Sequence, residues 1–281
     1  MLRSMHDLER YTIAATDGNI GEVTDFLFDD EEWIVRYFVV ETGSWLSSRK
    51  VLISPIGIEK ANWREKVFPV AITKEQVKNS PKIDTNQPVS RQHEIDHLGY
   101  YGYPYYWGGT GFWGGGMYPY SLYPGFGHYP DTKQESDNAT LAHEKAKREL
   151  HQNDDPNLRS CKAIIGYKIH AIDGEMGHVS GLLIEDNTMA VRYFMVDTTN
   201  WFGGHKVLIS PEWIEDMDWT DNSVTINLTR HQIKAAPEYH TSKDLNREHE
   251  LAVFDHYGLT GYWARGEKAN LVKKNELTPH Q

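Results

Sequence analysis

The chain has 281 residues, 40 acidic against 29 basic side chains, a formal net charge of −11 and 39% apolar residues. That balance argues against a nucleic-acid partner and against attraction of the whole chain to an anionic membrane surface. The apolar runs, such as Tyr37-Phe38-Val39-Val40, are far shorter than the roughly 20 residues of a spanning helix, and the opening MLRSMHDLERY has no apolar signal core. One cysteine, Cys161, leaves no internal disulfide and no CxxC pair, which fits a reducing cytoplasmic setting. Its neighbours Arg159, Ser160 and Lys162 supply no base to activate a thiol.

In chain order, a strand at 11–15 is followed by the turn dipeptide Asp17-Gly18. A strand at Val23 to Phe28 comes next, then the polar turn Asp29-Asp30-Glu31-Glu32 and the apolar strand Ile34 to Val40. Further strands are expected at Lys50 to Ile53, Ile56 to Ala61 and Lys66 to Ile72. Thr73 and Gln76 stand at capping-box spacing and predict a short helix that Pro81 ends.

The same series occurs twice. A shift of 156 positions carries Asp17-Gly18 onto Asp173-Gly174, Val35 to Phe38 onto Val191 to Phe194, Trp45 onto Trp201, and the KVLISP run from Lys50 onto Lys206. From Tyr11 to Trp107 there are roughly 36 identities in about 97 aligned positions without a gap, which reads as domain duplication. The tails also match. Arg91, His93 and Glu94 fall on Arg247, His249 and Glu250, and Tyr106-Trp107 falls on Tyr262-Trp263. After the first tail the Gly/Tyr/Trp run from Trp107 to Tyr129 has no period of a regular element and is expected to be mobile. A helix is expected at Thr140 to His151.

With the Asp17-Gly18-x-x-Gly21 turn, the VRYFVVETG strand, the KVLISP strand and the Thr-capped turn in order, the chain resembles the PRC-barrel family, from Leu8 to about Pro81 and from about Ala163 to Pro237. The resemblance implies a mainly β fold: two small antiparallel six-stranded barrels, each followed by a short helix and an extended tail. The expected domains are a first barrel with its tail at 1–107, a linker at 108–160, a second barrel with its tail at 161–265, and a C-terminal extension at 266–281. Family members act mainly as binding and assembly modules. The resemblance therefore implies a non-enzymatic protein, cytoplasmic or peripheral to the inner membrane, with no cofactor, whose partner is another protein or a second molecule of itself. A competing reading is a peripheral membrane adaptor of a photosynthetic or electron-transport complex, by analogy with the reaction-centre H subunit.

One motif points to other chemistry. His93-Glu94-Ile95-Asp96-His97 fits HExxH, in which a helix presents two imidazoles to zinc and the Glu acts as base. Against a zinc hydrolase, the second repeat has Val253 where His97 would fall, and Gly99 and Gly102 are expected to break a helix early. The reading preferred here is that Arg91, His93 and Glu94, with Arg247, His249 and Glu250, make local polar contacts that dock the tails. Tyr106, Trp107, Tyr262 and Trp263 would be buried by that docking. Arg36 and Arg192, mid-strand among apolar neighbours, either snorkel or pair with a carboxylate such as Glu41 or Asp197, or serve as interface anchors.

Overall fold

The computed structural model describes residues 1–82, 89–107, 111–122, 158–199, 204–241 and 245–264. The expected helix at 140–151, Trp201 and the 266–281 extension lie outside these residues. The chain divides into two compact units, Met1–Ile165 with Gly181–Arg192, and Gly166–Ser180 with Tyr193–Gln281.

The fold is mainly β. Its elements run β1 (Leu2–Ser4), α1 (Met5–Leu8), β2 (Thr12–Ala15), β3 (Gly18–Asp29), β4 (Ile34–Glu41), β5 (Lys50–Ile53), β6 (Val67–Pro69), α2 (Lys74–Asn79) and α3 (Arg91–Tyr101). Then come β7 (Leu158–Ser160), β8 (Lys168–Ala171), β9 (Gly174–Glu185), β10 (Val191–Asp197), β11 (Lys206–Ile209), β12 (Ile214–Asp218), β13 (Ser223–Ile226), α4 (Arg230–Lys234) and α5 (Arg247–Tyr257). A six-stranded sheet has the order β5-β4-β3-β2-β6 with β7 on β3. A seven-stranded sheet has the order β11-β10-β9-β8-β13-β12 with β1 on β9. Neither ladder returns on itself among the described residues.

Three expectations need correction. The sheets are not wholly antiparallel, because β6 runs parallel to β2 and β13 parallel to β8. β6 reaches β2 only after the excursion through β3, β4 and β5, so no hairpin fixes its direction. The strand expected at Ile56 to Ala61 is replaced by a one-turn 3-10 helix, Pro55–Gly57, whose entry is capped by Ser54 Oγ accepting from the Ile56 N–H at 3.3 Å. Its equivalent also turns at Pro211–Trp213 but then continues as β12. Lastly, the tails are not extended chain throughout, because each begins with an 11-residue helix, α3 or α5.

The capping boxes form as the sequence predicts. Thr73 Oγ1 accepts from the Gln76 N–H at 3.2 Å while Gln76 Oε1 accepts from the Thr73 N–H at 2.8 Å, and Thr229 with Gln232 repeats the arrangement. The Asp of each Asp-Gly turn adds a long-range tie. Asp17 accepts from the Lys74 N–H at 2.8 Å and Asp173 from the Arg230 N–H at 2.7 Å, so the turn carboxylate holds the first helical N–H of α2 or α4. Gly21 and Gly177 are required by close approach: a Cβ at either would overlap the carbonyl of the facing strand, Glu41 or Asp197.

β4 is buried at every residue from Ile34 to Val40. Phe38 packs on Phe26 and Phe68, with ring centroids 5.0 and 5.2 Å apart, and Tyr37 meets His97 of α3 edge-on at 5.0 Å. A strand covered on both faces loses the alternation that marks a half-buried one. In the second unit, Ile169, Val179, Phe194, Val207, Val224 and Ile226 are fully buried.

Candidate functional site

Arg36, Arg91, Glu94 and Tyr106 collect where the first tail meets its sheet, and Arg247 and Glu250 meet Tyr262 and Trp263 in the second. In the first unit, α3 starts at Arg91, and its buried face carries Glu94, Ile95, His97 and Leu98. Gly102, with φ of 70°, ends the helix in the left-handed region. The chain then turns back so that Tyr106 reaches Glu94. Tyr106 Oη donates a short hydrogen bond to Glu94 Oε1, Arg91 sits 2.9 Å from Glu94 Oε2, and the Arg91 guanidinium also donates to Tyr106 Oη at 3.0 Å. Trp107 lies over Arg91 at 4.4 Å.

Arg36 completes the cluster from below. It is 2% exposed, and its guanidinium lies 3.8 Å from the Tyr106 ring centroid and 5.0 Å from that of Trp113. One terminal nitrogen donates to the Phe112 carbonyl and the other lies 3.4 Å from Asp29 Oδ2. Asp29 is further satisfied by the N–H groups of Glu31 and Glu32, at 3.1 and 3.2 Å. The buried cation is thus held by a carboxylate, a carbonyl and two aromatic faces.

Trp113 was missed by sequence reasoning. It stands in the Gly/Tyr/Trp run expected to be mobile, yet it is 0% exposed and its indole N–H donates to the Thr188 carbonyl at 2.9 Å. Glycines at 111, 114, 115 and 116 disguise it. The backbone folds tightly around it, with the Trp113 N–H bonded to the Gly116 carbonyl at 2.9 Å and Gly111 and Gly114 at positive φ.

In the second unit the docking recurs with changed partners. Arg247 pairs with Glu250 at 3.1 Å and lies 4.1 Å from the Trp263 ring centroid. Glu250 Oε1 accepts from Tyr262 Oη at 2.8 Å and from Tyr193 Oη at 2.9 Å. The hydroxyl of Tyr37, which aligns with Tyr193, is buried without a hydrogen bond. His249 does not join this polar cluster through a side-chain bond, since its Nε2 is buried without a partner. Arg192 lies in the first unit, 2.8 Å through Nε from Glu185 and 5.5 Å from the Phe112 ring centroid. Both strand arginines therefore pair with a carboxylate, though not with Glu41 or Asp197.

The HExxH residues do sit on one helix, because Gly99 lies within α3 and the helix ends only at Gly102. They do not face one another as zinc ligands would. His93 is exposed, with Nδ1 2.9 Å from Ser90 Oγ, whereas His97 is 1% exposed and its Nε2 lies 3.0 Å from the Leu52 carbonyl. Glu94 is occupied by Arg91 and Tyr106. Burial lowers the His97 imidazole to about 4, so it is neutral and Nε2 donates to Leu52. Purified chain is expected to hold no stoichiometric zinc by elemental analysis, and one tightly held zinc per chain would contradict this arrangement. His97→Ala is expected to cost about 2 kcal/mol in denaturant unfolding, because it opens a cavity and leaves the Leu52 carbonyl unpaired.

Burial pushes the Glu94 carboxyl up to about 7, against the pull of Arg91 and the Tyr106 hydroxyl. The folded chain thus holds this proton more tightly than the unfolded chain, whose ordinary value is 4.5. The stability it contributes is complete below that value and is lost as pH rises through 7. His97 works oppositely: its contribution is present above 6.5 and lost as pH falls toward 4. Glu94→Gln removes only the first effect. Its stability relative to the parent chain is expected to rise between pH 4.5 and 7.5, by up to about 3 kcal/mol. A pH-independent difference would show that the carboxyl ionises normally in the fold.

Comparison with known proteins places the first sheet. An uncharacterised protein of Deinococcus radiodurans is 36% identical over 73 residues, which is 26% of this chain and 26% of the relative's own length. The PRC-barrel domain model matches residues 2–77, which span β1 through the body of α2. Residues 2–77 of this chain are thus similar to PRC-barrel domains.

Proposed function

We propose that the chain is a non-enzymatic binding and assembly protein of the cytoplasm, in which residues 161–265 form a second PRC-barrel with its own tail, joined to the first (1–107) by a linker at 108–160. The observation that carries this reading is the commitment of Arg36, Arg91, Glu94 and Tyr106 to one buried cluster that docks the first tail. Side chains with chemical potential are used there to build a surface. The repeated sequence, the two capping boxes and the two Asp-to-helix ties support a second copy. The partner is another protein or a second molecule of the chain.

The docked tail leads to an exposed patch. Met117, Tyr118 and Tyr120 are 44%, 39% and 45% exposed, and the two tyrosine rings stack at 5.1 Å. Aromatic residues held on a rigid base are favoured at protein interfaces. A photo-crosslinking residue placed at Tyr120 in the full chain, in its native host, is expected to give an adduct of defined mass. The same residue at the exposed Lys60 serves as the control. Equal labelling at both positions, or none at Tyr120, would remove the patch from the interface.

A further inference from the structure

The first unit contains one pairing made twice. The arm β1 lies antiparallel on the end of β9, with Leu2 opposite Glu185, Arg3 opposite Ile184 and Ser4 opposite Leu183. The arm β7 lies antiparallel on the end of β3, with Leu158 opposite Asp29, Arg159 opposite Phe28 and Ser160 opposite Leu27. Both arms read Leu-Arg-Ser, and every position of one pairing maps onto the other by the shift of 156. Each arm's arginine reaches the carboxylate just beyond its acceptor: Arg3 to Asp186 at 2.9 Å, and Arg159 to Asp30 at 2.8 Å. Between the acceptors the backbone is joined reciprocally as well. The Val35 N–H donates to Met189 and the Val191 N–H to Trp33, each at 2.8 Å, and Ile34 bridges to Ala190.

Counted by the shift of 156, which sets Leu158–Ser160 with the second repeat, each arm crosses to the acceptor of the other repeat, and both acceptors present the same features: a strand end, a Leu at 27 or 183 and an Asp at 30 or 186. An interface built from two interchangeable halves does not distinguish an arm of its own chain from that of another. The covalent connection adds no contact to the internal pairing and favours it through effective concentration alone. Exchange of an identical element is a low-cost route to a dimer.

We propose that these arm acceptors form an association surface for a second molecule of this chain, which docks by inserting its own Leu-Arg-Ser arms. The proposal rests on the reading of the chain as two repeats. It names the surface used in self-association and is independent of the Tyr120 patch.

The test uses two full-length variants. One carries Arg3→Asp and Arg159→Asp, so its arms repel its own acceptors. The other carries Asp30→Arg and Asp186→Arg, so its acceptors repel its own arms. These groups are largely buried, with the side chains of Arg3 and Asp186 19% and 8% exposed and those of Arg159 and Asp30 18% and 17% exposed. Like charges held there are costly to both variants, and mixing them creates matched pairs only between molecules. An equimolar mixture at tens of micromolar is expected to shift to twice the mass of one chain by light scattering. A chain carrying all four reversals has matched pairs within itself and is expected to keep the association state of the parent chain. If the separate variants are unfolded, mixing is expected to restore the β circular dichroism signal. A mixture that keeps the mass of one chain, or that recovers neither mass nor fold while the four-fold variant folds, would overturn the proposal. Such a failure would leave the assembly reading standing, because the crosslink at Tyr120 does not depend on the arms.

Discussion

Arg36→Ala is expected to destabilise the chain by about 3 to 5 kcal/mol, the usual cost of removing one partner of a buried ion pair. The guanidinium fills the space beneath the tail, against Tyr106 and Trp113, and neutralises Asp29, which is 4% exposed. Its loss leaves the Phe112 carbonyl without this donor and a buried carboxylate with only two backbone N–H partners. Arg36→Met keeps much of the volume but not the charge and should fall between parent and alanine variant. Arg192→Ala provides the contrast. Its ion pair with Glu185 is more open, with side chains 13% and 22% exposed, and a loss of about 1 kcal/mol is expected there. Urea unfolding of the three variants checks this, and equal losses at positions 36 and 192 would show that the buried cluster does not hold the tail.

Trp113→Ala should be as damaging, about 3 to 5 kcal/mol, because a fully buried indole leaves a large cavity. The Thr188 carbonyl also loses its donor and Arg36 loses an aromatic face. Trp113→Phe retains part of the packing without the N–H and is expected to cost about half as much. A change of under 1 kcal/mol for the alanine variant would return residues 111–116 to the class of loose connecting chain.

The strands β2 to β5, the Asp-Gly turns and both capping boxes were legible in the sequence because each is fixed by local chemistry. Parallel pairing of β2 with β6 was not, since register between distant strands leaves no local mark. The helices α3 and α5 were hidden for a different reason. Glu94, His97 and Glu250 lie on the buried side, so polar residues interrupt the stripe that would announce an amphipathic helix. They are tolerated there because Arg91, Tyr106, Leu52 and Tyr262 supply their hydrogen bonds. Arg91, Glu94 and Tyr106, all singled out in the sequence, meet in one cluster, whereas Asp29 as the partner of Arg36 required the turn of the β3–β4 hairpin to be known. The Leu-Arg-Ser arms escaped because three residues are too few to carry a pattern, and their partners lie about 130 to 180 positions away.

The central claim is that the tails are docked parts of the fold, with their charged and aromatic side chains used internally. Hydrogen exchange on the intact chain tests it most directly, because exchange protection reports the opening of each segment separately. Slow exchange is expected through Arg91 to Trp107, through Gly111 to Gly116 around Trp113, and through Arg247 to Trp263, on the timescale of the flanking strands. Fast exchange across Tyr103 to Trp107 and Gly111 to Gly116, with the strands still protected, would contradict the claim and make Arg91, Glu94 and Tyr106 available to a partner.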